Sequence, residues 1–419
     1  MSKRKQRKEE KEKVNKISDV KMAYIMYGKK AFVVPIVIAI ILGAVIWGIV
    51  YNTRKNNAPQ ETADNQKEQV NYIWGEIKPG KKNANNYTMV TSADGIQVPV
   101  PTGYTASSAS DENSVNGGFV IYEGTETVTD SNKWEAQCNR NQYVWIPIAE
   151  VSDMYWRDQT TGKKYGTLYA FSSYATTYAK VANYSHEPQT TSKDIQSTYL
   201  TRDLNGMSRE DFLMEMEIDF DKMLNSVATY GGFYVGRYET GDLSQATPVI
   251  KRINTDITSQ TWYTMWKKAR KLSGTSAGVQ MIWGIQWDET LKWLIDTGEK
   301  TYAEIASDST SWGNYVNNSF TYYTNTSKST ATKPSGYGKS VKIPSGAYEG
   351  TNANNVFDLA GNVLEWTLKF NGSGTANNRI NRGGCYYSYD YIRPVAGDNF
   401  EYPNYGSDLI GLRCTLFIK

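Results

Sequence analysis

Histidine is almost missing from this chain: one, His186, stands in 419 residues. Cysteine is nearly as scarce, with Cys138, Cys385 and Cys414. Three cysteines and one histidine exclude a disulfide framework and a cysteine-rich zinc site, leaving room for one bridge at most. A lone histidine in a polar stretch reads as a solvated side chain. No Gly-x-Ser-x-Gly elbow and no phosphate-binding loop occurs, which removes the common hydrolase and nucleotidase signatures. Nor is there a strong net charge: the formal balance is +3. That balance hides an asymmetry. Residues 1–30 hold eleven Lys/Arg against four Asp/Glu, leaving 35 against 39 for the rest. The large remainder is mildly acidic, so nucleic acid is not an expected partner.

What is abundant begins with one apolar run. Residues 31–51 carry no charge and end with Trp47 and Tyr51 near the far side. About 20 apolar residues cross a bilayer as a helix, and the Lys/Arg excess before the run orients the N-terminus to the cytoplasm. The run is longer than a cleaved signal core and lacks a small-residue cleavage site. The expected organisation is a basic cytoplasmic arm (1–30), a transmembrane signal anchor (31–51), a flexible polar stalk (52–71) and an extracellular domain (72–419). The protein is thus expected to be single-pass, with the lipid bilayer as a partner through residues 31–51.

Within the domain, Gly95–Pro101 reads as an edge strand, and Gly118–Tyr122 and Tyr143–Ile148 as buried strands. Residues 155–205 read as a loop-rich insertion. Ser208–Val227 is expected to be a helix capped by Ser208 and Asp211, with Leu213, Met216, Phe220, Met223, Leu224 and Val227 on its core face. Tyr230–Gly241 follows as a strand. Ser259–Leu272 and Gln286–Thr297 are further helices, the second stopped by Gly298. Asn317–Gly350 reads as surface loop.

The C-terminal quarter holds three ordered motifs: Phe357-Asp358-Leu359-Ala360-Gly361-Asn362-Val363-Leu364-Glu365-Trp366-Thr367, then Asn381-Arg382-Gly383-Gly384-Cys385, then Gly411-Leu412-Arg413-Cys414. The trio resembles the hallmark of the sulfatase-modifying-factor family, the formylglycine-generating-enzyme type of domain. Ser311-Trp312-Gly313-Asn314 resembles its Pro-Trp-Gly-Asn. The good match spans residues 230–419. The resemblance implies an α+β fold, an irregular C-type-lectin-like domain, here preceded by one transmembrane helix.

The family's copper enzyme holds its metal on two cysteines just after Arg-Gly-Gly. The matching slots here hold Ser388 and Arg393, which cannot replace thiolates. The family's iron enzymes need several histidines. The resemblance therefore implies a non-catalytic member, with neither copper nor iron expected. The competing reading is a metal-dependent oxidoreductase of the formylglycine-generating or sulfoxide-synthase type with an altered site. The resemblance also implies a structural calcium ion on the Asp358 side chain, the Gly361 and Val363 carbonyls and the Glu365 carboxylate, an oxygen-only set of the kind calcium takes. Glu365 pairing with Arg382 or Arg413 is the alternative. Because their motifs converge in the family's fold, Cys385 and Cys414 are the disulfide candidates.

Between Gly384 and Gly411 the chain is dominated by Tyr, Ser, Asn, Asp and Gly. Tyr gives large rigid contact area, and the small polar residues give adaptable hydrogen bonds, which is paratope chemistry. Tyr386, Tyr387, Ser388, Tyr389, Asp390, Asn399, Asn404, Tyr405 and Ser407 are the candidate ligand-binding residues. The stretch further resembles the variable segment of diversity-generating-retroelement proteins, in which adenine mutagenesis turns Asn codons into Tyr, Ser or Asp. The expected function is a membrane-anchored binding or adhesion protein on a bacterial cell surface. Its partner would be a protein or glycan on another cell, phage or host.

Overall fold

The computed structural model describes residues 77, 79–181, 187–189, 195, 197–255, 257–371, 378–389 and 393–419. The basic arm, the apolar run and the stalk lie outside the described residues, as do His186 and Asp390. Among the described residues no helix is long and apolar enough to cross a membrane.

The chain opens with a hairpin of β1 (Tyr87–Thr91) and β2 (Gln97–Pro101), turned at Gly95. Then come β3 (Tyr104–Ala106), β4 (Val120–Glu123), α1 (Lys133–Asn139) and β5 (Gln142–Pro147). Two short hairpins follow, β6 (Tyr155–Arg157) with β7 (Lys164–Gly166) and β8 (Leu168–Ala170) with β9 (Ala179–Val181). Helix α2 (Ser197–Asp203) leads to the long α3 (Arg209–Tyr230), then β10 (Gly232–Gly236), α4 (Trp262–Ala269), β11 (Ala277–Met281), α5 (Gly284–Asp296) and α6 (Tyr302–Ala306). The hairpin β12 (Phe320–Tyr323) and β13 (Thr330–Lys333) precedes β14 (Leu364–Phe370), β15 (Arg379–Arg382), β16 (Asn399–Glu401), β17 (Ile410–Leu412) and β18 (Cys414–Ile418).

The result is a mixed α/β fold built on two sheets. One has six strands in the order β11-β18-β10-β5-β4-β3, and the other has four in the order β16-β15-β14-β17. The last strand thus inserts between β11 and β10, so the C-terminus closes the central sheet.

Helix α3 shows why these elements form. Ser208 Oγ accepts from the Asp211 amide at 3.0 Å, and Gly231 ends the helix at φ 82°. The expected stripe from Leu213 to Val227 is buried, and Phe212 joins it. Phe212 packs edge-on to Trp262 and Trp266, and Phe220 edge-on to Trp283. Burying such aromatic and aliphatic side chains stabilises by about 1.5–3 kcal/mol each.

Several sequence expectations need correction. The strand after α3 ends at Gly236; the Arg237 amide still donates to the Gln142 carbonyl at 3.1 Å, while its guanidinium sits on buried Glu112 at 2.6 Å. The 155–205 insertion is not merely loop. It carries two hairpins and a helix, and it is docked by buried polar contacts. Lys164 pairs with Asp221 of α3 at 2.5 Å. Glu187 accepts from the Gly284 and Ile285 amides at 2.7 and 2.6 Å, satisfying buried donors that the first turn of α5 leaves without an intrahelical partner. The 317–350 stretch likewise contains the β12–β13 hairpin.

Candidate functional site

The three motifs of the C-terminal quarter meet in a buried polar hub. Gly361 donates its amide to the Gly383 carbonyl at 2.7 Å, joining the first motif to the second. Its φ is 74°, and a Cβ there would lie 2.3 Å from the Asn314 carbonyl oxygen, so only glycine fits. Asp358 and Asn362 also take left-handed φ values, 58° and 54°, which Asp and Asn tolerate better than most side chains. The Asn362 side chain then ties four segments together. Its Oδ1 accepts from Asn314 Nδ2 at 3.0 Å and from the Ile343 amide at 3.1 Å, while its Nδ2 donates to Glu239 Oε2 at 2.7 Å. The Val363 amide donates to Glu239 Oε1 at 3.2 Å.

The third motif enters through Arg413. Its Nη2 and Nε donate to the two oxygens of Glu365 at 2.6 and 3.0 Å, and both side chains are fully buried. Its remaining donors reach the Gly236 and Phe357 carbonyls, each at 2.8 Å. One arginine thus faces three buried carboxylates, Glu239, Asp358 and Glu365. Burial, together with the charges of Asp358 and Glu365, pushes Glu239 well above the carboxylate range. Burial raises Glu365 to about 7, against the pull of Arg413.

In this arrangement the two carboxylates of the set implied for calcium face protein donors. Asp358 Oδ1 accepts from Thr351 Oγ1 at 2.8 Å, and Oδ2 from the Gly346 amide at 2.6 Å and Ser345 Oγ at 3.2 Å. With both Glu365 oxygens on Arg413, every carboxylate oxygen of the set faces a protein donor. Among the described residues no group of three or more His, Cys, Asp or Glu is placed to hold a metal. A covalent cation stands nearby. Lys333 is buried, and its Nζ donates to the Tyr315 and Asn318 carbonyls at 2.6 and 2.8 Å and to Asn318 Oδ1 at 3.2 Å. Burial lowers its pKa to about 8.

The expected Cys385–Cys414 bridge is absent; all three cysteines are free. Convergence of the backbones does not bring the sulfurs together. Cys414 Sγ faces Thr240 Oγ1 at 3.3 Å, and Cys385 Sγ faces Ser388 Oγ at 3.1 Å. Asp398 receives Arg382 at 2.6 Å and Lys369 at 2.5 Å, and Arg382 also reaches Asp288 at 2.7 Å.

Above the hub the 385–389 loop is pinned by its backbone. The Tyr386 amide donates to the Asn362 carbonyl at 2.9 Å, and the Val316 amide to the Ser388 carbonyl at 3.0 Å. Tyr387 and Tyr405 are exposed, at 46% and 53%. Tyr386, Ser388, Tyr389, Asn399 and Asn404 are half-buried. Ser407 is buried, contrary to expectation: its Oγ accepts from the Leu409 amide at 3.1 Å, a turn bond that holds the loop. The structure adds Tyr337, whose ring centroid lies 5.4 Å from that of Tyr387, and the exposed Phe400 and Tyr402. Asp408 faces Tyr386; burial and then that charge raise the phenol's pKa. Composition hid Tyr337 because it precedes the Tyr-rich segment. Alternation along β16 was the available signal for Phe400.

Residues 288–416 match the family described as the sulfatase-modifying factor enzyme 1-like domain. Similar solved structures include the crystal structure of CarF, at 14% identity and TM-score 0.30, covering 45% of this chain and 87% of that one. Treponema denticola variable protein 1 is similar at 15% identity and TM-score 0.27, covering 44% and 84%. No curated protein sequence matches this chain.

Proposed function

We propose that this protein is a non-catalytic binding protein that recognises a protein ligand through the aromatic surface around Tyr337, Tyr387, Phe400, Tyr402 and Tyr405. The carrying observation is where exposed apolar bulk lies. Of nine large hydrophobic side chains exposed among the described residues, six fall in 337–405: these five and Val341. Rigid aromatic side chains held on a fixed backbone give contact area at low entropic cost and dominate interface energetics. The buried hub supplies that fixed backbone, so the lectin-like domain is read as scaffold and the loops as reader. Ser388 and Arg393 in the copper slots supply no thiolate and speak for binding over oxidation.

The apolar run at 31–51 presents this domain outside a membrane, and the Tyr/Asn/Ser/Asp positions of 386–407 are the place where a retroelement would write variation. Two measurements test this reading. Full-length chain in lipid nanodiscs is titrated against candidate surface proteins and glycans, beside a Tyr387→Ser/Tyr405→Ser variant. Protein binding lost in the variant, at an unchanged melting temperature, supports the proposal. Undiminished binding in the variant overturns it. Sister sequences varying at the exposed positions of 386–407 over a constant hub support diversification, and an invariant segment refutes it.

A further inference from the structure

The chain enters the described domain on a basic face. Ile77 packs half-buried against the core, and the Gly80 amide donates to Thr229 Oγ1, near the end of α3, at 2.7 Å. Lys81 then flanks one recess together with Lys222 of α3, Arg270 just after α4 and Lys419 at the C-terminus. Asn86 Nδ2 donates to the Lys419 carbonyl at 2.6 Å, which holds the C-terminus beside the entry segment. Lys81, Lys82, Lys222, Lys271 and Lys419 are all exposed. The acidic side chains among them are engaged: Glu215 pairs with Arg270, and Asp219, 6% exposed, lies 3.4 Å from Arg270 Nε and 4.0 Å from Lys222 Nζ. The face is therefore positive even after the C-terminal carboxylate is counted, in a domain that is mildly acidic as a whole. Apolar surface borders it. Tyr230 lines the recess and packs edge-on to Tyr87 at 5.2 Å, and Met89, two residues along β1 and so on the same side of that strand, is 40% exposed.

Resting on the reading of residues 31–51 as a membrane span, we propose that this face lies against the bilayer and takes anionic lipid headgroups. Chain length supports the placement. Residues 52–76 join the apolar run to Ile77, and a flexible polar stretch of that length spans about 25–30 Å on average. A domain of this size is about 50 Å across, so the face that carries the entry point is the one nearest the membrane. Lysines close to a negatively charged bilayer are each attracted to it, and several together hold a tethered domain down. The Tyr87–Tyr230 pair and Met89 suit the boundary between headgroups and acyl chains, where amphipathic rings collect. Seating fixes the orientation of a domain that a free stalk would let tumble. The face shares no residue with Tyr337, Tyr387, Phe400, Tyr402 and Tyr405, so ligand capture there does not depend on it.

The test uses the full-length chain in nanodiscs of phosphatidylcholine alone and of phosphatidylcholine with about one third phosphatidylglycerol. Lysines are acetylated in a short pulse with an N-hydroxysuccinimide ester and read one by one by mass spectrometry. Labelling of Lys81, Lys82, Lys222 and Lys271 is expected to slow by roughly threefold or more in the anionic discs, and to recover in about 1 M salt, where screening cuts the electrostatic reach to about 3 Å. Lys328 and Lys339, exposed in and after the β12–β13 hairpin, should label equally in both discs. Lys222→Glu with Lys271→Glu, both at exposed positions, is expected to restore the rates of Lys81 and Lys82 in anionic discs at an unchanged melting temperature. Slowing that the double substitution leaves in place overturns the proposal. A chain that elutes apart from both kinds of disc has no anchor at 31–51 and overturns the membrane reading and this inference together. Equal rates in a chain that co-elutes with the discs overturn this inference alone.

Discussion

The Glu365–Arg413 pair allows a worked prediction. Both side chains are fully buried, and their two hydrogen bonds measure 2.6 and 3.0 Å. Glu365→Ala leaves a guanidinium in the core with two donors unmet, although its bonds to Gly236 and Phe357 persist. Removing one partner of a buried pair costs about 3–5 kcal/mol, because the surviving charge stays desolvated. For a domain of this size that is a fall of roughly 4–7 °C in melting temperature. Replacing both, Glu365→Leu with Arg413→Met, removes the orphaned charge and is expected to cost less than the two single changes together. The double-mutant coupling should be about 2 kcal/mol or more. The assay is calorimetric or urea unfolding of all four proteins, each with and without EDTA. A coupling near zero refutes the pairing argument. A wild-type melting temperature that falls on chelation and is restored by calcium would show that an ion contributes at this site beside Arg413.

The pair is one of several features that can be tested in the same way. Burial, outweighing Lys163, raises Glu217 to about 7. Between pH ~4.5, where the unfolded chain loses that proton, and about 7 the folded state alone retains it, so its contribution to stability is lost as pH rises through that window. Glu217→Gln should therefore stabilise at pH 8 relative to pH 5, and an equal effect at both in urea titrations contradicts this. Gly361→Ala sets a Cβ 2.3 Å from the Asn314 carbonyl at φ 74° and should cost at least about 3 kcal/mol by thermal melting; a loss under ~1 kcal/mol counts against the hub. Reducing agent should leave the melting temperature unchanged and three thiols titratable in denaturant, because all three cysteines are free. Tyr387→Ser with Tyr405→Ser should shift the melting temperature by no more than about 1–2 °C, since exposed side chains contribute little to stability; unfolding would show that these rings are core.

The sequence was informative wherever one periodicity governs one face. The stripe of α3, the stop at Gly298 and the strands around Tyr122 and Val144 follow from spacing and turn chemistry alone. The hub was partly legible. Asp358, Glu365, Gly361 and Arg413 stood out, but Glu239 and Asn362 gained their roles only from tertiary pairing, which no local pattern encodes. The same holds for Arg237, whose side chain meets Glu112 more than a hundred residues away in the chain. The cysteines failed for a different reason: motif convergence fixes backbones to within several ångströms, whereas a disulfide requires sulfur direction as well. Ser407 and Phe400 show the limit of composition. Both lie in a Tyr/Ser-rich segment, yet a turn bond buries one and strand alternation exposes the other.

Lys333 sets a condition on where the platform can work. A cation bolted to the polypeptide cannot be washed out, competed away or sequestered. The loop it gathers, from Tyr315 to Asn318, is held by a charge carried on the chain itself, and with a pKa of about 8 that hold weakens as the surroundings turn alkaline.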